Sequence, residues 1–188
     1  MRIVGGIHKG KALKPPKTQD TRPTSDRTRE AVFNILAHSI DGFSVEGKRV
    51  LDLFAGTGAL GLEALSRGAA SAHFIDDSAA ARGLVRTNAE GLGATGQIKI
   101  WRRDATGLGL LDSAPPFDLV FVDPPYNKQM GDKALVGLVE GGWLNPQAII
   151  VLEEAKKAEV VVPPQYTELS TRNYGDTKAI FLQLNSGD

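Results

Sequence analysis

The alternation of apolar and polar positions changes character twice along the 188 residues. At the start, Ile3-Val4-Gly5-Gly6 and Lys11-Ala12-Leu13 predict two short strands about a glycine-containing turn, followed by the irregular Lys14-Pro15-Pro16-Lys17. Thr24 or Ser25 can cap a helix running to about Ser39, with Val32, Phe33, Leu36 and Ile40 on one face and charges on the other. From Lys48 the rhythm becomes strand and helix in turn. Apolar runs over 49–54, 71–75, 97–101, 118–122 and 147–152 have the length and β-branched content of buried parallel strands. Helical spacing lies between them over 59–66, 78–90 and 132–140, and is weaker after Asp104 because of Gly107 and Gly109. After Glu154 the rhythm breaks again, and 166–173 and 178–184, joined through Gly175-Asp176, predict a β-hairpin. The expected fold is therefore α/β: a doubly wound, mostly parallel, seven-stranded sheet with helices on both faces, a C-terminal antiparallel hairpin and a small N-terminal β-hairpin extension.

Composition limits the chemistry. A chain with 41% hydrophobic and 23% charged residues suits one globular domain. No apolar run approaches the ~18 residues of a membrane span, and the first six residues lack the apolar stretch of a secretory signal. A soluble, cytoplasmic protein with no membrane partner is expected. The absence of cysteine excludes disulfides, thiolate metal sites and a cysteine nucleophile. Methyl transfer to a pyrimidine ring carbon, which ordinarily needs that nucleophile, is thereby disfavoured. The three histidines, His8, His38 and His73, are scattered, so no metal is expected.

The formal net charge of zero hides a division. Residues 1–29 hold eight Lys/Arg against two acids, a net of +6, and the remainder carries −6. A basic arm, 1–23, leading into a body, 24–188, suggests a polyanion docking at one end, with Arg2, Lys9, Lys11, Arg22, Arg27 and Arg29 as phosphate ligands. A solvated basic tail would have the same charge.

Gly56-Thr57-Gly58-Ala59-Leu60-Gly61 follows a predicted strand and opens a predicted helix, and Asp76 ends the next strand. This spacing also fits a nicotinamide or flavin enzyme. Asp52, four residues before the first glycine, would repel a pyrophosphate on the helix N-terminus but attract the ammonium of a methionine moiety. Asp76 can bind ribose hydroxyls of either cofactor. Asp104 can accept from an adenine amino group, with the Ala105 N–H on a ring nitrogen; singly, such acids are more often loop or capping residues.

The strand 117–122 runs into Asp123-Pro124-Pro125-Tyr126. An exocyclic amino group is a poor nucleophile because its lone pair is delocalised into the base. Asp123 can accept one of its N–H groups and the Pro124 carbonyl the other, favouring a pyramidal nitrogen. The prolines stiffen the turn, and Tyr126 offers a stacking face worth about 1–3 kcal/mol. Pro-Pro after a strand is also an ordinary breaker, but beside the glycine loop the methyl-transfer reading is the stronger. It predicts direct in-line transfer from S-adenosyl-L-methionine, with no covalent intermediate and no metal.

These residues resemble the bacterial 16S ribosomal RNA guanine-N2 methyltransferases of the RsmD type. The resemblance is carried by Arg2-Ile3-Val4-Gly5-Gly6, by Arg22-Pro23-Thr24-Ser25-Asp26-Arg27-Thr28-Arg29-Glu30, by the run 52–64, by 121–126, by Gly142-Trp143-Leu144 and by Tyr174-Gly175-Asp176-Thr177. It implies methylation of the 2-amino group of a guanine in small-subunit rRNA within the assembled or nearly assembled subunit; a monomer is expected. By position it implies Asp123, Pro124 and Tyr126 as base-gripping residues and Asp52, Phe54, Gly56, Gly58, Asp76 and Asp104 as cofactor ligands, with Thr24 closing over the cofactor. Asp76 stands where a Glu is common, leaving Asp77 as a substitute, and Tyr126 where some members have Phe. A DNA amino methyltransferase shares D-P-P-Y, although this chain leaves little room for a target-recognition domain. A dinucleotide oxidoreductase and a non-catalytic RNA-binding assembly factor are the readings from other classes.

Overall fold

In the computed structural model, residues 1–16, 25–126 and 128–186 are described. The sheet has seven strands in the order β3-β2-β1-β4-β5-β7-β6, where β1 is Arg49–Leu53, β2 Ser71–Ile75, β3 Ile98–Trp101, β4 Phe117–Val122, β5 Leu144–Ala155, β6 Tyr166–Tyr174 and β7 Thr177–Leu184. Strands β1 to β5 are parallel, and β7 inserts antiparallel between β5 and β6. The doubly wound sheet and its terminal hairpin agree with the hydrophobic pattern.

Because successive strand residues face opposite sides, each strand feeds two cores. Val50, Phe74, Phe121, Val151 and Phe181 point to one face, where they pack with α1 (Asp26–His38), α2 (Ala59–Ser66) and α3 (Ala79–Leu92). Leu51, Val120, Ile150 and Leu182 point to the other, covered by α4 (Met130–Glu140) and Trp143. Ser25 caps α1 by accepting the Thr28 N–H, and Ser78 caps α3 by accepting the Ala81 N–H. In α2 every residue is buried, as its apolar sequence ALGLEALS dictates.

Two elements differ from expectation. The N-terminal strands reduce to a single antiparallel bridge, Arg2 to Ala12, because Gly6–His8 turns as a 3-10 helix in place of a tight hairpin loop. Ile3 and Leu13 nevertheless enter the main core, so residues 1–16 are packed against the body. Strand β5 extends at both ends of the expected 147–152, since β7 pairs along it as far as Ala155↔Thr177. A register shift against β4 and a left-handed Gln147, at φ 61°, absorb its extra residues.

The strand order reverses between β1 and β4, which lie side by side with Asp52 opposite Phe121 and Leu53 opposite Val122. Open parallel sheets bind ligands outside the carboxyl ends of their strands at such a reversal. The glycine loop leaves β1 there and Asp123-Pro124-Pro125-Tyr126 leaves β4 beside it.

Candidate active site

The glycine loop is built under constraint. Phe54, immediately after β1, is left-handed at φ 58°, a costly conformation for a bulky side chain and one met mainly where function requires it. Gly56 and Gly58 are also left-handed, at φ 55° and 77°, and Gly58 forms the N-cap of α2. Gly61 is needed for close packing: a Cβ there would lie 2.4 Å from Cε1 of the buried Phe74 ring. The loop is held by the acids that the sequence singles out. Asp76 Oδ2 accepts the Gly56 N–H at 3.0 Å while its Oδ1 accepts Ser78, and Asp52 Oδ2 accepts the Gly61 N–H at 3.0 Å.

Asp52 is only 1% exposed. Burial pushes its carboxyl up to about 8; the Gly61 N–H opposes that rise and the nearby Asp76 adds to it. A buried carboxyl under this strain on a cleft wall is suited to meet a cation. Asp104, at the third strand end, lies below the ordinary carboxylate range because Oδ1 accepts both the hydroxyl and the N–H of Thr106. Ala105 beside it is buried, and Asp77, the alternative ribose acid, is exposed.

Asp52, Phe54, Gly56, Asp76, Asp104 and Ala105 line one cleft of about 810 Å³, which continues without a break to Asp123, Pro124 and Tyr126. Gly58 sits behind that wall, where a Cβ would lie 3.2 Å from Val85. In the Asp-Pro-Pro-Tyr turn Pro124 is buried, Asp123 and Tyr126 are half-buried and Pro125 is exposed. The Tyr126 hydroxyl donates to Oε1 of Glu153 at 2.8 Å. Burial, with the Asp123 and Glu153 carboxylates close by, holds that hydroxyl protonated above the ordinary phenol range.

Glu153 and its neighbour Glu154, both buried at the carboxyl end of β5, did not stand out in the sequence, nor did Asn88, whose side chain reaches the glycine loop from α3. Met1 also lines the cleft.

The expected phosphate ligands divide. Arg2, Lys9, Lys11 and Arg27 are exposed. Arg29 is not: it is fully buried, donating to Asp26 Oδ1 at 2.8 Å and to the Arg2 carbonyl, with Nε 3.5 Å from the buried Glu63. Its expected role in RNA binding is therefore corrected to a structural one, because the helix face that carries Phe33 also carries Arg29 into the core. Thr24 and Arg22 lie outside the described residues. His73 is buried edge-on between Trp101 and Phe117, its pKa lowered to about 4, first by burial and then by Arg49 and Lys99. No group of three or more His, Asp or Glu side chains placed to hold a metal occurs among the described residues.

A buried acid on the cleft wall, a left-handed glycine loop and acids at the next two strand ends give the cleft a donor set that suits S-adenosyl-L-methionine. The fold and the cleft together define the class: a methyltransferase. The family described as "Conserved hypothetical protein 95" matches residues 1–183, and the chain belongs to this family, the RsmD family. It is 38% identical over 169 residues to "Ribosomal RNA small subunit methyltransferase D" of Escherichia coli strain K12, covering 89% of this chain and 81% of that protein. The protein of the same name from Haemophilus influenzae is 32% identical over 177 residues, covering 93% and 89%. The solved structure of yhhF from Escherichia coli superposes with a TM-score of 0.84 at 30% identity, covering 100% of this chain and 99% of that one. No described helix is long and apolar enough to cross a membrane.

Proposed function

We propose that this protein methylates the exocyclic 2-amino group of a guanine in small-subunit (16S) ribosomal RNA, acting as a cytoplasmic monomer on the assembled or nearly assembled subunit. The observation that carries the reading is the continuity of one cleft from Asp52 and the glycine loop at the end of β1 to Asp123 and Tyr126 at the end of the adjacent β4. The names of the relatives supply the rRNA, and the resemblance supplies the guanine.

S-adenosyl-L-methionine supplies an electrophilic methyl on a sulfonium. The protein's part is positioning and exclusion of water. Asp123 accepts one N–H of the target amino group and the Pro124 carbonyl the other, so that the nitrogen lone pair is directed across the cleft. Tyr126 stacks on the extruded base, at a gain of about 1–3 kcal/mol. Asp52, Phe54, Gly56, Gly58, Asp76, Asp104 and Ala105 hold the cofactor, with Thr24 closing over it. The basic arm, 1–23, with Arg2, Lys9, Lys11, Arg22 and also Arg27, neutralises RNA phosphates beside the body, 24–188.

The test is tritium transfer from labelled cofactor to small subunits, naked rRNA and DNA, followed by mass spectrometry of the modified nucleoside. Label on N2-methylguanosine in the subunit supports the reading. Label in DNA or on adenine would sink it, and binding without label would favour a non-catalytic assembly factor.

A further inference from the structure

Tyr126 follows two prolines beyond the end of β4, and its ring is half-buried. A ring on such a turn has one soft freedom left, rotation about its side-chain torsions, and a stacking platform is useful only if that freedom is removed before the base arrives. The means of removal lies one strand away. Glu153 belongs to β5, the neighbour of β4, and is 6% exposed. Along β5, Ile149 and Val151 point into the core beneath α1 and α2, and Glu153 continues that alternation to the same side. Glu154 faces the opposite way, its Oε1 on the Ala155 N–H. A carboxylate set at the end of a core-facing row is costly to desolvate and implies a specific partner. Here a partner is the Tyr126 hydroxyl, at 2.8 Å.

We infer that Glu153 is a positioning residue for methyl transfer: by accepting the Tyr126 hydroxyl it locks the aromatic ring in its stacking orientation, and it turns the hydroxyl away from the edge of the target base. This rests on the reading of the site as a base-methylating one. Tyr126 then offers the base its π face, while the Asp123 carboxylate and the Pro124 carbonyl alone address the amino group. A phenylalanine here would stack but would have no tether to β5, so the Tyr–Glu pair is a rigidifying device that such a ring lacks.

The experiment measures kcat and KM on small subunits for wild type, Glu153→Gln, Glu153→Leu, Tyr126→Phe and the double variant Glu153→Leu/Tyr126→Phe. Cofactor affinity and melting temperature are recorded for each. Glu153→Gln, whose amide oxygen can accept the same O–H, is expected to stay within about twofold of wild-type kcat. Glu153→Leu and Tyr126→Phe should each lower kcat roughly tenfold with cofactor affinity unchanged, as expected for a lost orienting contact. The double variant should be no worse than the poorer single one, because both remove the same tether. Multiplying losses in the double variant, or a Glu153→Gln as impaired as Glu153→Leu, would overturn the inference. If Glu153→Leu does not fold, the Tyr126→Phe and Glu153→Gln pair still decides: undiminished kcat in Tyr126→Phe overturns the tether. Wild-type protein that leaves subunits unmethylated removes the functional reading itself, an outcome distinct from active wild type with independent variants.

Discussion

Asn88 of α3 donates its side-chain amide to the Thr57 carbonyl at 3.0 Å and so pins the glycine loop from behind. The same nitrogen donates to the Lys14 carbonyl at 3.2 Å, and Oδ1 accepts the Lys14 N–H at 2.7 Å. One buried amide therefore holds both the glycine loop and Lys14 of the basic arm. Asn88→Ala removes three bonds in a site only 4% exposed. At about 1 kcal/mol per bond the loss is roughly 2–3 kcal/mol, or a fall in melting temperature on the order of 5–10 °C. Cofactor affinity measured by calorimetry should weaken with it. An unchanged melting curve would show that water replaces the amide without cost.

The hydrophobic period located the framework well: the strand expected at 71–75 and the helix expected at 59–66 are β2 and α2 with the same bounds. Both are short apolar runs with clear punctuation, α2 between Gly58 and Gly68 and β2 between Gly68 and Asp76-Asp77, so local pattern suffices. That Asp52, Asp76 and Asp104 would gather at one cleft was legible because strand ends are predictable and the carboxyl edge follows from topology. Glu153 was not, because nothing local separates it from Glu154; only the pairing of β4 with β5 brings it to Tyr126. Arg29 was misplaced for the same reason. Its partner Glu63 is 34 positions along the chain in another helix, and a cationic side chain in a basic segment gives no sign that it is buried. The left-handed Phe54 likewise has no sequence signature, since its conformation is imposed by the loop it opens.

Asp52 should make cofactor binding proton-linked. Its carboxyl stands near 8 against an ordinary 3.8, so without cofactor the native state holds a proton there that the unfolded chain releases. Its contribution to stability is fully present below about pH 4 and is lost as pH rises through 8. A cation placed against it reverses the preference, and binding at pH 7 should release a proton. Calorimetry in two buffers of different ionisation enthalpy should give different apparent enthalpies. Asp52→Asn should abolish that difference, weaken binding at least tenfold, about 1.4 kcal/mol, and raise the cofactor-free melting temperature at pH 8. Equal enthalpies in both buffers for the wild type would contradict the assignment.

Gly61→Ala tests whether the third glycine of the loop serves packing. The added methyl would meet Cε1 and Cζ of Phe74 at 2.4 and 2.7 Å, and that ring is fully buried in the core. Overpacking of this kind costs about 1–3 kcal/mol. Because Gly61 also donates to Asp52, relief of the clash by a shift of α2 would move the carboxylate, so cofactor affinity should fall with stability. Wild-type affinity at reduced stability would separate the two roles.

Arg27 and Arg29, two positions apart in α1, should behave oppositely. Arg27 is exposed and free to meet phosphate, so Arg27→Ala should leave the melting temperature within about 1 °C. It should also reduce the slope of log affinity for small subunits against log salt by roughly 0.7–0.9, the share of one phosphate contact. Arg29→Ala removes a cation from beside the fully buried Glu63, a change that costs about 3–5 kcal/mol for a buried pair. Arg67 still holds Glu63 Oε1 at 2.8 Å, which places the loss toward the lower end of that range, about 3 kcal/mol and roughly 6–12 °C. The salt slope of the folded Arg29→Ala protein should match wild type, since a guanidinium enclosed between Asp26 and Glu63 has no face for RNA. A flattened slope with an unchanged melting temperature in Arg29→Ala would mean that α1 opens to expose this side chain when RNA binds.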